Sequence, residues 1–398
     1  MRLRFGSRTW DTERIEPRDW ILIIGLCLAP MTGLRIWKIG PAEVLCLLCG
    51  IKYLSAGRLS KSGITIFFLS FILALSIGSL VGYYIAPNEL RLTDLLTWIY
   101  LGLISISIYE GLRTKTLSYN EKLFYLFAKT ATIWYLFLYI FSRTISRSFL
   151  GAPLWYSSAR FSGGGTNPHQ IAVLLCGLTF VYLRKIIKKE KVGANSLYLI
   201  ICLFLMIQTA SSTGVMAVAL GIAIAMYFLV SDLFPGHRTA ALVVLTLIII
   251  LILVVGATSF MSLFIRWIEK DPNGLGRFHI FSSFNRTFSK SPLFGLGPGI
   301  HGLDGYIEFH NTYIEILAAS GLVGGLLFLV YSVRLFKTVL RADWKLVPIV
   351  VSMYAYGLAG FAMRRLVYWG LIAFVTVISE QLLFTNNHLD LYSERRNK

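Results

Sequence analysis

Apolar stretches long enough to cross a bilayer recur from one end of this chain to the other, and no polar block large enough to fold alone separates them. A helical crossing needs about 20 predominantly apolar residues, because backbone polar groups in hydrocarbon must find their partners within the helix. Hydropathy places such stretches near residues 20–34, 39–54, 63–82, 94–110, 123–141, 168–183, 195–210, 214–230, 239–256, 311–333, 346–362 and 367–385. Charged residues make up 15% of the 398, against roughly a quarter in soluble domains, so a water-soluble fold is excluded. The expectation is an all-α polytopic membrane protein of about twelve transmembrane helices, one integral domain over 1–398.

Basic connections are retained in the cytoplasm. Most of the 38 Lys and Arg fall in alternate connections starting with the N-terminal segment, so both termini are expected on the cytoplasmic side. RKIIKKEK at 184–191 is the clearest cytoplasmic loop. The first residues are arginine-rich like a signal sequence, but GLCLAPMTGLRIW lacks a small-residue cleavage site, so the segment reads as a retained anchor. Topology and anionic lipid account for the net charge of +18, and nucleic acid is not an expected partner.

Cysteine and histidine narrow the chemistry. Cys27, Cys46, Cys49, Cys176 and Cys202 all fall inside apolar stretches, where free cysteine packs as a small hydrophobe. His279, His301 and His310 lack the close spacing of a zinc site. No G-x-x-x-x-G-K-[ST] is present, so nothing points to nucleotide hydrolysis. Neither metal nor cofactor is expected.

Two connections, 142–167 and 257–309, are too long for simple links and are expected on the extracytoplasmic side, forming the active site with the start of the helix at 311. The first carries Arg143, Arg147 and Arg160 and ends in ARFSGGGTNP, where three glycines could aim N–H groups at an anion as a nest or could simply form a flexible turn. The second opens on SFMSLFIRWIEK, an interfacial amphipathic pattern. In GRFHIFSSFNRTFSK a helical wheel puts Phe281, Phe284 and Phe288 on one stripe, with His279, Arg286 and Lys290 opposite. Arg277 projects from the phenylalanine stripe, a costly place for a charge unless it binds something. SPLFGLGPG at 291–299 reads as a close-packed re-entry toward the membrane that turns Arg277 and His310 to one space.

HNTYIEILAASGLVGG begins the next helix. Thr312 and Glu315 have capping-box spacing, and Gly321 with Gly325 suits close helix approach. His310 is left over, with a near-neutral pKa suited to accepting a proton.

Taken in order, R-F-x-G-x-x-x-N-P at 160–168, Gly276–Arg277, P-L-x-G-x-G at 292–297, and His310-Asn311 followed by Tyr313, Glu315 and later glycines resemble the bacterial O-antigen ligase and polysaccharide polymerase family. The resemblance covers roughly 155–330. This chain reads ASSTG at 210–214 where many members carry an arginine, so that arginine's role does not transfer. The resemblance implies glycan transfer from undecaprenyl pyrophosphate to an acceptor hydroxyl on the periplasmic face of the inner membrane, without metal. Arg277 and Arg160 would clamp the pyrophosphate and His310 would serve as general base. It implies a sugar or lipid A-core acceptor, contact with membrane lipid and polysaccharide-assembly proteins as partners. Polymerase is the expected branch, because each pathway needs its own polymerase whereas one ligase serves several. A lipid-linked oligosaccharide flippase is the rival class, but transporters place ionisable residues near the midplane, and here Lys129 is the only basic residue well inside a span, while the cations of interest cluster outside.

Overall fold

A computed structural model describes residues 14–36, 39–55, 62–85, 92–157, 159–233, 284–299, 311–358 and 362–396, with the isolated positions 60, 239, 243, 246, 309 and 360. The described residues are almost all helix. The helices are α1 (Pro17–Leu28), α2 (Pro41–Ser55), α3 (Gly63–Ile85), α4 (Leu92–Arg113), α5 (Leu117–Thr144), α6 (His169–Ile187), α7 (Val192–Gln208), α8 (Ser212–Leu233), α9 (Thr312–Ala342), α10 (Val347–Gly357) and α11 (Leu366–Arg396).

Among the described residues, 7 helices are long and apolar enough to cross a membrane, α3, α4, α5, α6, α8, α9 and the first part of α11, and α7 is a shorter apolar one. This fits a polytopic membrane protein. Three of the expected spans come out shorter. α1 has 12 residues, α2 has 15 and α10 has 11, so at 1.5 Å per residue α1 rises only about 18 Å. Pro30 lies just beyond α1, and a 3₁₀ turn at Thr32–Leu34 carries the chain across the end of the bundle. The expected span at 239–256 lies outside the described residues, except for positions 239, 243 and 246.

The bundle is organised around α6 and α11. Their apolar windows are 83% and 78% buried, against 39% in α8 and 44% in α5. A helix apolar on every side belongs in the interior, and HQIAVLLCGLTFVYL is such a sequence. Trp369 of α11 anchors the centre, with its ring near Phe67, Phe68 and Tyr331 and its indole N–H donating to Met363 O at 2.7 Å. All five cysteines are buried, as their apolar surroundings led us to expect.

α9 is not one straight helix. Gly321 has φ 61° and ψ −161°, a combination essentially confined to glycine. The break frees two donors and two acceptors, and the segment 291–299 inserts to satisfy all four. Leu322 N and Val323 N donate to Pro292 O and Leu293 O at 2.8 and 3.1 Å, while Leu296 N and Gly297 N donate to Ala318 O and Ala319 O at 3.0 and 2.9 Å. Irregular backbone at membrane depth persists only when its polar groups are satisfied in this way. The re-entry read from SPLFGLGPG is therefore present, docked between α3 and α9 where Gly78 lets the backbones touch.

The expected role of Gly321 and Gly325 as a helix-approach pair is corrected. Gly321 makes the break, and a Cβ on Gly325 would meet Leu317 of its own helix. The capping box is corrected as well. Asn311 is the cap, its side chain accepting from Tyr313 N and Ile314 N at 2.9 and 3.1 Å. Thr312 instead donates to Gly360 O at 2.9 Å and accepts from Ala362 N at 3.2 Å.

Candidate functional site

One end of the bundle collects α6, α8, α9 and α11 where they begin, and α5, α7 and α10 where they finish. The connection after α5 is ordered into two small antiparallel hairpins, Ser148–Phe149 with Ala152–Pro153 and Trp155–Tyr156 with Arg160–Phe161. The second hairpin carries Arg160 inward. The three glycines after it serve packing. Gly163 and Gly164 have φ +59° and +87°, and a Cβ on either would stand 2.8 Å from Tyr135 or Met31. Gly163 N and Gly165 N donate within the protein, to Leu154 O and Ser162 O. The turn is thus a fixed wedge, neither the anion nest nor the flexible link considered from the sequence.

Arg160 is half-buried. Its Nε donates to Thr209 O at 3.2 Å, and its guanidinium carbon sits 5.9 Å from the centre of the Tyr156 ring. Among the described residues it makes no ion pair and its terminal nitrogens donate to nothing. A guanidinium held through Nε with its fork left open suits a phosphate oxygen pair.

Around it stand groups that the sequence reading passed over. His169, the first residue of α6, has Nδ1 2.7 Å from the Tyr356 hydroxyl and 3.3 Å from Ser211 Oγ. Asn167 Oδ1 accepts from the His169 backbone N–H at 3.0 Å, holding the start of α6. Both Arg160 and Arg365 lie near enough to the Tyr356 hydroxyl to act on it electrostatically. With its amide oriented to satisfy both atoms, Gln170 accepts from Arg365 Nη1 at 2.8 Å and donates to Thr32 Oγ1 at 3.0 Å. Arg364, the neighbouring cation, is committed to Asp94 at 2.6 Å. A signal for this pair existed. Arg364 and Arg365 sit between two expected spans on the side that should be poor in basic residues.

The start of α9 adjoins this cluster. Asn311 Nδ2 donates to Leu358 O at 2.8 Å, and Thr312 is tied to Gly360 and Ala362, so the chain at 311 is pinned to the connection between Tyr356 and Arg365. His310 and Arg277 lie outside the described residues, as do His279, His301, Phe281 and the amphipathic stretch at 260–270. Phe284 and Phe288 stack, with centroids 5.2 Å apart, while Arg286 and Lys290 are exposed, as the helical wheel placed them.

Residues 197–329 match the family model described as O-antigen ligase. Over that third of its length the chain is similar to the O-antigen ligase family. Members of this family are glycan-transferring enzymes. No curated protein matches the chain. The matched stretch takes in most of α7, α8, the inserted segment 291–299 and α9 past its break, together with positions 277 and 310. Arg160, His169, Tyr356 and Arg365 come to the same end of the bundle from outside the matched stretch.

Proposed function

We propose that this chain is a polysaccharide polymerase that transfers glycan from undecaprenyl pyrophosphate to an acceptor sugar hydroxyl on the periplasmic face of the inner membrane. Arg160 and Arg277 hold the pyrophosphate, with Arg365 beside Arg160 adding charge. His310 takes the acceptor proton as the hydroxyl oxygen attacks the anomeric carbon. The bond from that carbon to the pyrophosphate oxygen breaks, and the pyrophosphate leaves with the electron pair. Fixed cations in a lipid-shielded site stabilise the departing charge more than they would in water.

The observation that carries this reading is the posture of Arg160: half-buried, anchored through Nε, with no carboxylate partner among the described residues. A structural arginine in such a place would be paired, as Arg364 is with Asp94.

The acceptor separates the two branches of the family. A deletion strain analysed by gel for surface glycolipids and lipid-linked intermediates should carry at most a single repeat on its surface lipid. Bare lipid A-core with long chains accumulating on undecaprenyl pyrophosphate would instead assign the chain as a ligase. Repeats trapped on the cytoplasmic face would assign it to transport and remove the transfer mechanism altogether.

A further inference from the structure

The end of α9 remote from Asn311 presents a second, different kind of surface. Arg334, Lys337 and Arg341 follow one another at helical spacing on one side, and all three are exposed. With Val330 of α9 and Leu383 of α11 they line a groove of about 540 Å³. Through Leu329, Val333 and Lys337 it continues into an apolar groove of about 830 Å³ along α9, bounded by Leu326, Phe336 and Tyr354. The combined surface therefore has a cationic mouth and a long apolar floor.

Among the described residues no carboxylate lies within ion-pairing distance of Arg334, Lys337 or Arg341, and no acidic side chain lines either groove. Of the two nearby acids, Glu380 accepts from the Tyr109 hydroxyl at 2.5 Å and lies close enough to Arg334 to act on it electrostatically without forming an ion pair, and Asp343 accepts from Arg184 at 3.0 Å. Arg334 rests against α3 at Gly63, where a Cβ would stand 3.3 Å from its Nε. The apolar floor faces outward as well, with Leu326, Leu329 and Val330 all about 60% exposed, as residues in contact with acyl chains are.

We propose that this groove binds an anionic phospholipid. Its phosphate is held by Arg334, Lys337 and Arg341, and its acyl chains lie along Leu329, Val333 and Leu326. Charge complementarity at one end and an outward apolar wall at the other match the two halves of such a molecule, and basic pockets between membrane helices are known to take acidic headgroups. The lipid-linked donor shares this chemistry, but its pyrophosphate site adjoins Asn311, whereas Arg334, Lys337 and Arg341 lie beyond the break at Gly321, Arg334 about 20 Å along the helix from it. The apolar floor runs on as far as Tyr313, but the cationic mouth is a distinct headgroup site.

The test is the thermal stability of the full chain, purified in neutral detergent and titrated with cardiolipin, phosphatidylglycerol or phosphatidylcholine, with native mass spectrometry counting retained lipids. Cardiolipin and phosphatidylglycerol should raise the melting temperature saturably and phosphatidylcholine should not. At roughly fivefold per cation near a membrane surface, the triple variant Arg334→Ala, Lys337→Ala, Arg341→Ala should bind about a hundredfold more weakly. Arg286→Ala with Lys290→Ala, which removes two exposed cations elsewhere, should retain the full response. Should the triple variant fail to fold, Lys337→Glu alters one exposed side chain and should still abolish the selective shift. An equal response to phosphatidylcholine, or an undiminished anionic response in Lys337→Glu, overturns the proposal. So does a change from dimer to monomer on charge removal with no lipid released, because it would make a second copy of the chain the occupant.

Discussion

Replacing Gly321 by alanine tests the inserted segment and the break in α9 together. Alanine at φ 61° and ψ −161° carries about 1–3 kcal/mol of backbone strain. The new Cβ would also fall against the carbonyl of Leu293 and 2.5 Å from Phe294 N, and both are backbone that no rotamer change can move. If α9 straightens to escape, Leu322 N and Val323 N recover Ala318 O and Ala319 O, but the segment 291–299 is expelled. Leu296 N, Gly297 N, Pro292 O and Leu293 O then lose their partners, at about 1–3 kcal/mol for each group left buried and unsatisfied. Keeping the break therefore costs at least about 1–3 kcal/mol of strain with the backbone clash on top, and straightening costs about 4–12 kcal/mol if all four groups stay buried, against the roughly 5–15 kcal/mol that separates folded from unfolded domains. The measurements are the melting temperature of the purified protein, chymotryptic cleavage at Phe294 or Leu296 within 291–299, and glycan transfer in membranes. The control is Gly325→Ala, whose Cβ would meet only the end of Leu317 at 2.6 Å and which should stay within about 1 kcal/mol of the parent. If Gly321→Ala melts and transfers like the parent, or if Gly325→Ala is the damaging change, the account of the break is wrong.

Arg160→Ala and Arg160→Lys should both reduce initial transfer rates by about 10²–10³-fold, since a point charge does not replace a planar fork; a near-normal Arg160→Lys enzyme would remove the clamp. His310→Ala should lower transfer by about 10²–10⁴-fold at unchanged membrane abundance, and normal product at equal expression would exclude His310 as base. Arg184→Ala leaves Glu121 and Asp343, its partners at 2.6 and 3.0 Å, without their buried cation, and should cost about 3–5 kcal/mol by thermal unfolding. Although burial pulls the other way, Arg184 and Lys188 hold the Asp343 carboxyl below its ordinary value. Its contribution should therefore be complete above about pH 4 and fall away as acidification passes its folded value. Asp343→Asn should melt lower at neutral pH and lose this part of the acid dependence, whereas an unchanged acid profile would show that Asp343 does not supply it.

The class of this protein was legible because hydropathy is a local property. A stretch such as GITIFFLSFILALSIGSLVGYYI has no stable place except a helix among lipids or other helices, and α3 covers Gly63–Ile85. Arg160 was visible as a cation beside the membrane with no nearby acid, and SPLFGLGPG as a tight re-entry, because each rests on its own residues. The helical cap was misread between adjacent candidates, since Asn311 and Thr312 both carry capping oxygens and the pull of Gly360 and Ala362 on Thr312 decided which one turned inward.

Contacts between distant positions were beyond the sequence. His169 meets Tyr356 across 187 positions, and Arg184, which read as part of a basic cytoplasmic loop, is 4% exposed and paired with Asp343 159 positions away. Gly321 looks like any glycine in a membrane helix until the segment 291–299 is seen occupying its broken turn. Helix formation in lipid follows from each segment's own backbone and side chains. Which charges meet, which glycine breaks and which arginine keeps an open fork follow from how the helices pack, and only the tertiary structure sets those distances.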